Sequence, residues 1–368
     1  MSTLGGWGGW GGWGGWGGWG GWGGWGGWGG WGGSGQPGPD GSPLMAEALD
    51  QNRAAVVGPF SGATIPFKLP LPLDNPDHLG EWDVQQRMQT CSVELLSGLD
   101  FTAKGEAVTL GFVDLLASKL AVRPVARLVR PTKDIFTSQL DLVANYAELR
   151  GSRASEIMAQ TLPTQVPFWA SIIGMQPYRQ PWTQALMGLA LSMTIDVEMR
   201  LKHAFACPRP GVMSPQIQPM IPVPGHSSWP SGHATETFMV AAVLQLLLQH
   251  ANRSGQKYHE QLQRFAARVA VNRTVAGLHF PVDSAAGRLL GTALGEFFVA
   301  RCRGDEVNEW GFDGRKFRGR DDAPVDFDPR VSMTDGSSGY YEHRPAGWKV
   351  TQAPLLSWVW KKAIAEWK

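Results

Sequence analysis

The chain has little cysteine: only Cys91, Cys207 and Cys302 among 368 residues. They are far apart, without the spacing of a zinc site or the number needed for a disulfide framework, which points to a reduced compartment. Cys207 reads as a small packing residue. Long apolar runs are also missing. A membrane-spanning helix needs about 18 or more consecutive apolar residues, and the longest runs, 238–248 and 289–300, are too short or are broken by glycine and glutamate. They read as core helices. The N-terminus has no basic stretch followed by an apolar one, so a secretory signal is not expected, leaving a cytoplasmic location or export by another route. An excess of one charge is absent as well. Lysine and arginine number 33 against 32 acidic residues, a formal net charge of +1, which argues against nucleic acid as a partner. The acidic stretch 321–328 contains proline and lacks a calcium-loop pattern, so it reads as a solvated loop. Asn272-Arg273-Thr274 matches a glycosylation pattern, but its arginine belongs to a candidate site described below, so no glycan is expected there.

What the chain has in excess is tryptophan and glycine at its start. Residues 5–33 repeat Gly-Gly-Trp nine times, placing nine of the 18 tryptophans between Trp7 and Trp31. So little apolar variety cannot make a packed core alone. Three residues per turn is the period of a polyproline II helix, which would set the indoles along one edge about 9 Å apart. The segment is expected to be either a flexible tail or a self-association module forming homo-oligomers or filaments. A membrane-interface or sugar-binding role is a third reading, since tryptophan suits both.

Three short segments in the second half carry the chemistry. The first is Lys202-His203-Ala204-Phe205-Ala206-Cys207-Pro208-Arg209-Pro210. The second is Pro230-Ser231-Gly232-His233. The third runs from Arg273 through His279 to Asp283. Lys202, Arg209 and Arg273 match the charge of a dense oxyanion, arginine as a planar fork and lysine as a point charge. Ser231 reads as an N-cap, so the following amides and the helix dipole favour an anion, and Gly232 lets the backbone approach an oxygen. His233 is the candidate general acid–base. Asp283, in the first turn of the next helix, is placed to hold one nitrogen of His279 and turn the other toward the anion. Each residue alone has a commoner structural explanation as a cap, a solvated charge or a loop histidine. Ten specified positions in one order do not.

The pattern Lys-x6-Arg-Pro, Pro-Ser-Gly-His, Arg-x5-His-x3-Asp resembles the superfamily that joins type 2 phosphatidic acid phosphatases, bacterial acid phosphatases and vanadium-dependent haloperoxidases. The resemblance covers about residues 199 to 295. Asn272 departs from it, since the family often has serine there. The resemblance implies a mainly α helical bundle around the anion. It implies that Lys202, Arg209, Ser231, Gly232 and Arg273 bind the oxygens. In a phosphatase His279 would attack phosphorus, His233 would protonate the leaving alcohol and Asp283 would orient His279, with no cofactor. In a haloperoxidase His279 would instead ligate the vanadium of vanadate, and His233 would assist hydrogen peroxide in oxidising a halide. His226, seven residues before His233, matches a second histidine of bromoperoxidases and is a candidate for the halide pocket. A long helical segment before the first motif also favours the haloperoxidase reading. The third motif resembles the phosphatase version at least as well, so a soluble acid phosphatase is the alternative.

The expected organisation is a repeat at 1–33, a linker and extended arm at 34–82, a helical catalytic domain at 83–302, and an irregular tail with a terminal helix at 303–368. Helices are expected over 108–122, 135–149, 154–161 and 181–205, then a hairpin of 234–252 and 259–276, a helix from 282 to 301, and a last one near 353–367.

Overall fold

The computed structural model describes residues 43–62, 72–114, 121–161, 165–176, 178–253 and 256–368. The Gly-Gly-Trp repeat and most of the linker lie outside them. In chain order the elements are α1 (Pro43–Asn52), α2 (Val84–Leu96), β1 (Leu99–Lys104), β2 (Ala107–Val113), β3 (Val122–Val129), α3 (Lys133–Ser138), α4 (Leu140–Tyr146), α5 (Arg150–Ala159), α6 (Val166–Ile173), α7 (Pro181–Phe205), α8 (Pro210–Met213), α9 (Gly232–His250), α10 (Gln256–Val275), α11 (Pro281–Arg303), β4 (Glu306–Asp313), β5 (Tyr341–Lys349) and α12 (Pro354–Ala365). The protein is mainly helical, and among the described residues no helix is long and apolar enough to cross a membrane.

The centre of the molecule is α9, which packs against α7, α10 and, most extensively, α11. Its run from Phe238 to Leu244 is buried on every side, as expected of a helix apolar all round. Close approach of α11 depends on Gly287, Gly291 and Gly295, spaced one turn apart. A Cβ on Gly287 would stand 2.7 Å from that of Ala234, and one on Gly295 2.5 Å from that of Ala242. Helix α7 begins with Pro181 at its first position and ends where Ala206 turns left-handed at φ 50° before Cys207-Pro208.

Two expectations are corrected. Of the helix expected over 108–122, residues 108–113 are strand and 115–120 lie outside the described residues. Val108, Leu110 and Phe112 sit in β2, which pairs antiparallel with β1 and β3. The segment is apolar on both faces because both are covered, and this erases the alternation that marks a half-exposed strand. Nor is 303–368 irregular before its terminal helix. It contributes β4 and β5 to a five-stranded sheet of order β1-β2-β3-β4-β5, in which only β3 and β4 run parallel. A parallel pair needs a crossover, and here the crossover is the whole run from α3 to α11. The sheet packs on α11, and Trp310, Phe312, Trp348 and Trp360 join the same core as α7 and α9. The expected helix over 135–149 is divided into α3, α4 and a short 3-10 turn. Of the linker and extended arm expected at 34–82, residues 43–52 form α1, 53–57 form a helical turn and 63–71 lie outside the described residues.

Candidate active site

The three motifs meet where the C-terminus of α7, the N-terminus of α9, the end of α10 and the start of α11 converge. Lys202, on the last turn of α7, is 1 % exposed. Its ammonium donates to the carbonyls of Ser228 at 3.1 Å and Pro230 at 2.5 Å, clamping the loop that leads into α9. That loop is anchored by Trp229, fully buried and edge-on to Phe205. Arg209 lies past the end of α7. Its Nε donates to the His226 carbonyl at 3.0 Å and its Nη1 to the Leu278 carbonyl at 3.1 Å, so one guanidinium ties together the second and third motifs. The same Nη1 is 3.2 Å from His279 Nε2, and Nη2 is 3.2 Å from His226 Nδ1.

His279, in the loop before α11, and Asp283, in its first turn, are joined. His279 Nδ1 lies 2.9 Å from Asp283 Oδ2, so a proton on Nδ1 leaves Nε2 as a lone pair facing Arg209. Asp283 also accepts from the Phe280 amide at 3.1 Å, which caps α11. A residue that the motif reading missed completes this group. The hydroxyl of Ser228 donates to Asp283 Oδ2 and lies 3.2 Å from His279 Nδ1. Nothing in the sequence separated Ser228 from its loop neighbours, because its partners lie 51 and 55 residues away.

Ser231 is the N-cap of α9, with its Oγ accepting from the Ala234 amide at 3.5 Å and its own amide bonded to the Asp283 carbonyl. Gly232 opens the helix. His233 follows, its Nε2 3.2 Å from the Gln160 carbonyl, which fixes the proton on that nitrogen. Gln160 also carries Arg273. Arg273 Nη2 donates to Gln160 Oε1 at 3.0 Å and to the Ile157 carbonyl at 3.3 Å, while its Nε and Nη1 are buried without a partner. Asn272, the departure from the family pattern, donates to Gln160 and Glu156 and so fastens α10 to α5. These α5 contacts were invisible in the motifs.

Electrostatics bind the set together. Burial, then Arg209 and Lys202, hold the His279 imidazole well below its ordinary pKa. Burial, then Arg273, does the same to His233. Both rings are therefore neutral at neutral pH. Burial lowers Lys202 to about 8, against the attraction of Glu198. Burial raises Asp283 to about 6, opposed by the hydrogen bonds from Ser228 and Phe280. Two more carboxyl groups, Glu198 on α7 and Glu236 on α9, are buried beside the cations, and sequence reasoning named neither.

All the predicted site residues are thus gathered in one place: Lys202, Arg209, His226, Ser231, Gly232, His233, Arg273, His279 and Asp283. Among the described residues no group of three or more histidine, cysteine or acidic side chains is arranged to hold a metal cation. The arrangement suits an anion held by cations and amides, with one imidazole lone pair aimed at its centre. Residues 181–305, which contain all three motifs, match the family model described as PAP2 superfamily. A comparison with curated proteins found no match.

Proposed function

We propose, for a chain that its residues 181–305 place in the PAP2 superfamily, an oxyanion-binding enzyme of the vanadate-dependent haloperoxidase type that oxidises bromide with hydrogen peroxide. The observation that carries the choice is His226, 3.2 Å from Arg209 and so beside the anion, where a second imidazole can line a halide pocket.

The residues fit vanadate. Arg273 keeps two buried donors without partners, Lys202 and Arg209 add charge, and Gly232 opens a helix toward the anion. His279 Nε2 would be the ligand for vanadium, and Asp283 and Ser228 hold its ring. Bound vanadate supplies a Lewis-acidic centre that activates peroxide toward a halide. His233, neutral and fixed by Gln160, accepts or returns a proton beside that centre.

The alternative is phosphomonoester hydrolysis, favoured by the Ser228–His279–Asp283 grouping. There His279 Nε2 attacks phosphorus, the phosphorus–oxygen bond to the alcohol breaks, and the alcohol leaves with a proton from a neighbouring acid. Water then cleaves the phosphohistidine. Purified full-length protein, loaded with orthovanadate, is expected to brominate a phenol reporter with peroxide and bromide. Hydrolysis of an aryl phosphate without vanadate would select the alternative, and failure of both assays across a broad phosphoester set would sink the enzymatic reading.

The Gly-Gly-Trp segment carries a separate, structural role in this proposal. Nine indoles in a strict repeat would make a large apolar surface if lined up along one edge, which soluble monomers avoid, and burial against copies of itself would resolve that exposure.

A further inference from the structure

Glu198 stands on α7 one turn before Lys202. It is fully buried, and neither Oε1 nor Oε2 has a hydrogen-bond partner. A Cβ placed on Gly232 would lie 2.6 Å from Oε1 and 3.0 Å from Oε2. The carboxyl group therefore lies against the backbone that opens α9, where the candidate anion site needs its closest approach. Glu236, one turn into α9, is 7 % exposed and its Oε1 is also unpartnered. Arg273, whose charge acts on Glu236, keeps Nε and Nη1 unpartnered. Buried polar atoms without partners are costly, and a cluster of them around one spot marks a place where a ligand completes the bonding.

The charges sharpen the point. Lys202, Arg209 and Arg273 face Glu198, Glu236 and Asp283. With all six ionised the sum is zero, and a dense anion would gain nothing by entering. The site attracts an anion only when carboxyl groups carry protons. Asp283 is committed to His279, Ser228 and the Phe280 amide. The protons therefore belong on Glu198 and Glu236.

We infer that Glu198 is a further anion-contacting residue of this site: it binds the oxyanion as a neutral carboxylic acid, donating a hydrogen bond to the oxygen held at Gly232, with Glu236 as the neighbour that retains its own proton. The inference rests on the oxyanion reading of the site. Burial raises Glu198 to about 7 against the pull of Lys202 and Arg209. Burial and then the Glu198 charge raise Glu236 well above the ordinary carboxyl value. On α10 the facing charge is Arg273, and at the start of α11 it is Asp283. The imidazoles of His233 and His279 are already neutral, so the labile acidic proton of the site resides on the carboxyl pair. Anion binding then takes up a proton wherever Glu198 is ionised beforehand, and affinity falls as pH rises through the Glu198 pKa.

Molybdate is a suitable probe, being tetrahedral with a charge that does not change through the neutral range. Calorimetry of the full chain in two buffers of different ionisation heat counts the protons taken up. The wild type is expected to take up close to one proton per molybdate at about pH 8, with affinity falling roughly tenfold per pH unit above about 7. Glu198→Gln keeps the size and a donor but cannot titrate. It should take up clearly fewer protons than the wild type, only the fraction that Lys202 regains near 8, and hold its affinity until that discharge. Glu198→Asp should restore the uptake with weaker binding, which keeps the test decisive if the glutamine variant misfolds. Equal proton uptake in wild type and Glu198→Gln, or none in the wild type, overturns the role of Glu198 while leaving the oxyanion site standing. No molybdate binding by the wild type overturns both.

Discussion

His279 Nδ1 lies 2.9 Å from Asp283 Oδ2 inside the protein, with Asp283 fully buried. One carboxylate oxygen thus fixes the tautomer of the ring, its orientation and the start of α11, because the same atom accepts the Phe280 amide. A histidine held this way offers Nε2 as a lone pair without first losing a proton to solvent. That suits a nucleophile or a ligand equally, so one set of side chains can serve either of the two proposed reactions.

Removing the ring should remove the reaction. His279→Ala is expected to lower kcat by about three orders of magnitude or more, in bromination or in aryl phosphate hydrolysis, whichever the wild type performs. Asp283→Asn keeps the ring and loses its charged orienter, so a loss of roughly 10- to 100-fold is expected. Steady-state kinetics on both variants decide it, and an asparagine variant as inactive as the alanine one would deny the orienting role.

The acid limb of activity should belong to Asp283. Its pKa is raised to about 6 by burial, so the group stays protonated up to that pH and ionises above it. The orienting hydrogen bond to His279 needs the ionised form. kcat/KM should therefore rise as pH climbs through about 6, and the rise should be absent in Asp283→Asn. A pH profile of kcat/KM reports the free enzyme and tests this directly.

His226 should set halide choice. It contacts Arg209 through both its carbonyl and its ring, so the ring lies beside a cation proposed to bind the anion. His226→Phe is expected to change the bromide-to-chloride rate ratio several-fold while sparing vanadate affinity. An unchanged ratio would remove His226 from the halide pocket.

Deleting residues 1–36 should separate assembly from catalysis. Every candidate site residue lies far beyond residue 36, so the shortened chain is expected to remain active and to form a smaller particle than the intact one. Light scattering and negative-stain microscopy measure this. Equal particle size with and without the repeat would leave only the flexible-tail reading.

Motif order in the sequence already fixed much of the site. Lys202 and Arg209 bracket a helix end because Pro208 keeps α7 from continuing, and Ser231 caps α9 because serine before a glycine and an apolar run has that local preference. The contact of His279 with Asp283 was likewise legible, since a residue in the loop just before a helix can reach a carboxylate in its first turn. These are short-range relationships, set by backbone geometry within a turn or two.

What only the tertiary structure decided involves partners far apart in the chain. The strand at 107–113 read as helix, because burial on both faces removed its alternation, and β4 and β5 needed the β3 edge to exist at all. Ser228 acquired its place from Asp283, 55 residues away, and Gln160 from Arg273, 113 residues away. Glu198 and Glu236 acquired theirs because the glycines of α11 let it close tightly on α9 and α7 packs on the other side, leaving two carboxyl groups buried among three cations. A sequence lists charges one by one, whereas only packing determines which of them lose water together, and desolvation is the cause that shifts every acid and base in this site.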